Sequence, residues 1–149
     1  MTSSLWFFGT RLNIIADATT TGGKYDLIEG YFPPGTQTSL HRHTRYSEQL
    51  YVLEGEFTVW AGEDEAVLHA GESFLISPGT PHVVANLGDQ LARGLVVAAP
   101  SAFAHLIQEV GTLDETAPPD IELFRRICAE IGDEVLGASG ALPSTYVAT

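Results

Sequence analysis

His41 and His43 stand two residues apart on a segment without helical periodicity, and Glu48 follows five residues after the second histidine. Side chains alternate between the faces of an extended strand, so the two imidazoles project to the same side. If the four residues between His43 and Glu48 turn the chain back, the carboxylate comes alongside them. Imidazole suits Zn, Cu, Fe and Ni, while a carboxylate offsets part of the charge and adds tolerance for harder ions. A lone His-x-His pair is weak support for a metal site, because strand histidines are often exposed or satisfied by hydrogen bonds. The surrounding elements therefore have to decide.

From Asp26 to Ala98 the chain reads as short β-branched and aromatic runs separated by turn residues. The runs are Asp26–Phe32, Glu48–Leu53, Phe57–Ala61, Ala66–His69, Ser73–Ile76, His82–Asn86 and Ala92–Ala98. Pro33-Pro34-Gly35, Glu54-Gly55, Gly62-Glu63-Asp64, Ala70-Gly71, Ser77-Pro78-Gly79 and Leu87-Gly88-Asp89 punctuate them. Strands at this regular spacing imply an antiparallel sandwich or barrel rather than alternating βαβ units. After Pro100 the texture changes. Ser101–Glu109 is predicted as a short helix, with Ser101 as N-cap and Gly111 as stop. A second helix starts at an Asp120 N-cap and carries Ile121, Phe124, Cys128, Ile131 and Val135 on one face, interrupted by Gly132. That stripe is expected to pack on the barrel or on a second subunit. The tail after Gly137 reads as loop, and Cys128 as a buried, inert thiol.

The stretch from Gly35 to Gly55 resembles the first motif of the cupin superfamily, G(x)5HxH(x)3–4E(x)6G, with every spacing in range. Gly71 to Asn86 resembles the second, G(x)5PxG(x)2H(x)3N: Gly71, Gly79, His82 and Asn86 are in place, while Ser77 stands where the family has proline and a proline follows at Pro78. Proline there mainly stiffens the turn, so the departure bears on loop rigidity and not on ligation. The resemblance covers about residues 25–100 and implies an all-β, antiparallel double-stranded β-helix, or jelly-roll, with a short helical tail. It divides the chain into an N-terminal strand segment (1–24) packing on the barrel or a partner, a barrel (25–100) and a helical extension (101–149).

Carried over to this sequence, the resemblance makes His41, His43, Glu48 and His82 the ligands of one divalent transition metal: Fe, Ni, Mn, Cu or Zn. His69 and His105 match no motif position. Four ligands leave one or two positions open on a five- or six-coordinate ion, which points to catalysis or ligand binding rather than a closed structural site. By alternation Leu50 and Val52 share the face of Glu48, and Val84 that of His82; with Phe32 and Tyr46 at the mouth they form the expected substrate pocket. No Arg/Lys cluster lies on the strands, and Arg42 and Arg45 point outward or sit in the turn.

An apolar chamber of this kind suits a small aromatic or enolic molecule chelating the metal. The 3-His, 1-Glu set resembles quercetin dioxygenase-like cupins, so a metal-dependent oxidoreductase is the leading expectation, with Glu48 as ligand and general base. A non-enzymatic small-molecule binder, or a non-oxidative isomerase or decarboxylase, is the alternative, because fold does not fix the reaction.

Composition narrows the partners. Nineteen acidic against seven basic residues give a formal charge of −12, which leaves no basic face for phosphate neutralisation and excludes nucleic acid and anionic membrane. No apolar run approaches the ~18 residues of a membrane span. The opening Leu5-Trp6-Phe7-Phe8 lacks the basic flank and length of a signal segment, so a cytoplasmic location is expected. The same apolar start and the Ile121–Val135 stripe suggest a homodimer.

Overall fold

The computed structural model describes residues 3–146; the outermost residues of the N-terminal segment (1–2) and of the extension (147–149) lie outside the described residues. The chain forms β1 (Ser3–Phe7), β2 (Thr10–Ala16), a one-turn α1 (Ala18–Thr21), β3 (Asp26–Phe32), β4 (His41–His43), β5 (Ser47–Glu54), β6 (Glu56–Ala61), β7 (Asp64–His69), β8 (Ser73–Ile76), β9 (His82–Ala85), β10 (Ala92–Ala99), α2 (Phe103–Val110), α3 (Ile121–Ile131) and β11 (Asp133–Val135), with a final 3-10 turn at Pro143–Thr145. All seven strands expected from the sequence are present within two residues of their predicted ends.

Two antiparallel sheets face each other in a jelly roll. One runs β1-β2-β3-β10-β5-β8, the other β11-β4-β9-β6-β7. The inward positions of β5, β6, β8 and β9 fill the space between them with Leu50, Val52, Phe57, Val59, Ile76 and Val84. Gly55 makes the β5–β6 corner possible. Its φ is +73°, and a Cβ there would stand 2.7 Å from the Leu91 carbonyl oxygen and 2.9 Å from Ala92 Cα, backbone that cannot yield.

The helices cover one flank of the barrel, where Leu106, Val110, Ile127, Cys128 and Ile131 pack with Tyr46 and Ala98. The Asp120 N-cap is present, accepting from the Leu123 N–H at 3.0 Å. Ser101 does not cap α2. The buried Asp26 carboxylate on β3 takes that role, accepting from the N–H groups of Ala102 (2.9 Å) and Ala104 (3.0 Å).

The predicted helical stripe also stops early. Gly132, with φ +80°, ends α3 in a left-handed cap, and Val135 lies beyond it on a strand. Ile121 and Val135 are each about half-exposed rather than packed. The apolar N-terminal stretch is covered in part by the chain itself: Leu5 and Phe7 pack on Leu12, Ile14, Ile28 and α2, while Phe8 is exposed. No helix among the described residues is long and apolar enough to cross a membrane.

Candidate metal centre

β4 and β9 lie side by side with His41 paired to His82, which puts three imidazoles on one sheet. Glu48 comes from β5 in the facing sheet. One nitrogen from each of His41, His43 and His82 and one Glu48 oxygen all lie within 4.8 Å of one another. The short turn after His43 thus does what the spacing requires and brings the carboxylate across.

Each imidazole is held from behind. His41 Nδ1 donates to the Ser39 carbonyl at 2.6 Å, and His82 Nδ1 donates to the Thr80 carbonyl at 2.8 Å. A carbonyl can only accept, so in the neutral rings Nε2 keeps its lone pair for the centre. His43 Nδ1 donates to the Asp133 carboxylate at 2.7 Å, while its Nε2 meets Glu48 Oε2 at 2.8 Å. His82 Nε2 lies 3.4 Å from the same oxygen, yet it is buried with no hydrogen-bond partner.

A desolvated nitrogen lone pair without a donor is costly unless something electron-poor meets it. Three imidazoles and one carboxylate are also the donor set of a divalent transition ion. On both counts the residues fit a metal.

Burial and mutual proximity set the charges. Burial, helped by the neighbouring His82 and His43, pushes the His41 imidazolium down to about 3. For His43 burial works downward as well, but hydrogen bonds to Asp133 and Glu48 outweigh it and hold the ring up to about 9. Burial would raise Glu48, yet the adjacent His43 and His82 keep its carboxyl well below the usual range. In the metal-free protein the centre is therefore a neutral His41 beside a His43–Glu48 ion pair.

A cavity of about 430 Å³ opens onto His41, His43 and Glu48; His82, fully buried, lies behind them. Phe32, Leu50 and Val84 border it, with Phe7, Phe8, Phe57, Phe103 and Phe124. Two sequence expectations need correction. Val52 does not reach the cavity, because two residues past Leu50 the barrel is already filled by close-packed side chains. Tyr46 is not at the mouth: it is buried, its ring stacked on His43 at 4.3 Å between centroids, and its hydroxyl donates to Asp133 Oδ2 at 2.9 Å.

His69 is exposed, beside Glu56 and Glu72, and His105 lies on α2 near Glu130. Arg42 points out to Glu134, and Arg45 donates to the Glu130 carbonyl. Cys128 borders the cavity, and burial raises its thiol to about 12, so it stays protonated.

The motif asparagine and the altered turn both have structural explanations. Asn86, fully buried, donates to the carbonyls of Phe32 and Gln90, each at 2.8 Å, and so ties the end of β3 to the loop before β10. The turn lacking proline at Ser77 is instead pinned to β4 by the Gly79 N–H, which donates to the His43 carbonyl at 2.7 Å.

Asp133 was missed from the sequence. The usable signal was Gly132, which stops the helix and so makes the acidic pair after it the start of another element.

The cupin domain family matches residues 29–98, and an uncharacterised protein of Methanocaldococcus jannaschii is 34% identical over 89 residues, 60% of this chain and 70% of that protein. The chain is a cupin. Quercetin 2,3-dioxygenase of Bacillus subtilis is 26% identical to this cupin over 98 residues, which is 66% of the chain but only 29% of that enzyme. Among solved structures, an RmlC-like cupin from Shewanella frigidimarina superposes with a TM-score of 0.61 at 23% identity, covering 70% of this chain and 89% of that one.

Proposed function

We propose that this cupin is a metal-dependent oxidoreductase of dioxygenase type, acting on a small enolic or aromatic molecule bound in the barrel. One observation carries the reading: three imidazole nitrogens and a carboxylate converge at the floor of a largely apolar, aromatic-walled cavity. Bound by His41, His43, Glu48 and His82, a divalent transition ion (Fe, Ni, Mn, Cu or Zn) supplies Lewis acidity for a chelating oxygen and, for the redox-active metals, electron transfer.

The chain's own residues do the rest. The Nδ1 hydrogen bonds hold the three rings in place, so little ordering remains when a ligand arrives. The phenylalanine walls exclude water and offer flat faces to a planar ring. Neither lysine nor arginine borders the cavity among the described residues, which disfavours phosphorylated or multiply charged substrates. Glu48 is ionised and borders the cavity, so in this reading it holds the metal and accepts the substrate's hydroxyl proton. The likeness to quercetin 2,3-dioxygenase is consistent with this chemistry over the portion it covers.

The test is elemental analysis of tag-free protein together with oxygen uptake on a panel of flavonols and β-diketones. The reading expects stoichiometric metal and uptake on at least one of them, both lost in His82→Ala. Full occupancy with no uptake on any panel member points instead to a non-oxidative isomerase or decarboxylase, or to a binding protein. A homodimer belongs to the same reading: Leu75 on edge strand β8 and Tyr51 on β5 are exposed on one outer face, and light scattering reads the state.

A further inference from the structure

We propose that Asp133 is a positioning residue for the metal centre, so that the C-terminal extension sets how tightly the site holds its ion. The inference rests on the metal reading above and assigns part of that site to a segment outside the matched cupin residues 29–98.

The three histidines are not held alike. His41 and His82 donate Nδ1–H to carbonyls two residues upstream, contacts contained within their own segments. His43 alone donates to a charged group, and that group comes from 90 residues away. Both partners are almost fully buried, with side chains 5% and 6% exposed, so the hydrogen bond is charge-assisted and poorly screened. The second Asp133 oxygen accepts from Tyr46, whose ring lies flat on His43. One carboxylate and one phenol therefore fix the imidazole both in its plane and across its face. A carboxylate behind a ligating histidine also raises the basicity of the nitrogen facing the ion.

The backbone delivers Asp133 to this place. β11 pairs with β4 in a register that sets Asp133 opposite His43. Gly132 makes the corner out of α3 with φ +80°, and a Cβ there would come within 2.6 Å of Thr44 Oγ1. Thr44 latches the corner, its N–H donating to the Gly132 carbonyl at 3.0 Å and its hydroxyl donating to the same oxygen at 2.6 Å.

The experiment measures Zn(II) affinity by competition with a chromogenic chelator, and the visible absorption of the Co(II)-loaded full chain. Asp133→Ala removes both charge and acceptor, Asp133→Asn keeps an acceptor oxygen without the charge, and Arg42→Met breaks the exposed β4–β11 ion pair without touching His43. The expected result is a loss of about 10–100-fold in affinity for Asp133→Ala, a smaller loss for Asp133→Asn, an altered Co(II) spectrum in both, and wild-type behaviour for Arg42→Met.

A purely structural role would lower the unfolding midpoint of the metal-free variants while leaving affinity and spectrum unchanged, and that result overturns the proposal. If Asp133→Ala does not fold, Asp133→Asn decides: affinity within twofold of wild type with an unchanged spectrum overturns it. A wild-type chain that binds neither ion overturns the metal reading itself, and this proposal with it.

Discussion

Along β5 the inward side chains run Glu48, Leu50 and Val52, and within these few residues the barrel changes character. Glu48 belongs to a polar cluster beneath the cavity, whereas Val52 lies in a close-packed core with Phe57, Val59, Leu68 and Ile76. The strand geometry and alternation are the same at both ends. What differs is what covers them. At the core end aliphatic side chains from both sheets meet and leave no room. At the ligand end the histidines from β4 and β9 face one carboxylate, and large aromatic rings from the N-terminal hairpin and the helices stand back around an open volume. Stability concentrates where packing is complete, and chemistry where it is left open with its polar groups aimed inward.

That contrast can be broken from either end. The largest effect expected is on the ligand side: His82→Ala removes a donor and should weaken metal binding by more than the roughly 100-fold upper range of an outer-partner loss. Far-ultraviolet circular dichroism should stay unchanged, and a variant that still binds stoichiometric metal contradicts the assignment. At the core end, Ile76→Ala removes a side chain only 2% exposed and should cost about 2–5 kcal/mol in urea unfolding, with one metal per chain retained. Loss of metal in the folded Ile76→Ala variant would mean that the two ends are not separable.

Protons sharpen the contrast next. His43 is held up to about 9 and Glu48 well below the usual carboxylate range, while His41 falls to about 3. Near pH 7.5 His43 thus carries a proton that metal must displace, whereas His41 and Glu48 do not. Calorimetry in buffers of different ionisation enthalpy should show close to one proton released from His43 per ion. Affinity should rise with pH up to about 9 and then level off. In the metal-free protein the sign reverses. The folded-state value of His43 lies above the ordinary 6.5, so its contribution to stability is complete below 6.5 and is lost as pH rises through about 9. A metal-free stability that does not fall over that window contradicts the ion pair.

The smallest effect lies away from both ends. Asp120→Ala removes the N-cap of α3 and should cost about 1 kcal/mol, leaving the metal affinity of the folded protein unchanged.

The sequence was most informative where signals are local. Alternation and turn residues located seven of the eight strands from β3 to β10, all but the three-residue β4, and the motif spacing picked out the four residues that the fold brings together. Contacts between distant segments left no such mark. β11 is only three residues long and pairs with a strand some 90 residues earlier, so no periodicity announces it, and the apolar stripe of α3 ran on through Gly132 into Val135. The Asp26 cap on α2 reaches across 76 residues to Ala102 and cannot be seen from the helix's own start, where Ser101 looked sufficient. Tyr46 follows the ligand strand in a turn, where alternation no longer predicts facing, and it turns inward behind His43 rather than toward the mouth.

The most direct test of the metal assignment is anomalous diffraction at the absorption edge of the resident metal, from crystals of protein purified without a tag. The account predicts one strong peak per chain, coordinated by Nε2 of His41, His43 and His82 and by the Glu48 carboxylate. A fully loaded protein whose peak lies elsewhere, or a tag-free protein with no peak after incubation with Fe, Ni, Mn, Cu or Zn, would contradict it.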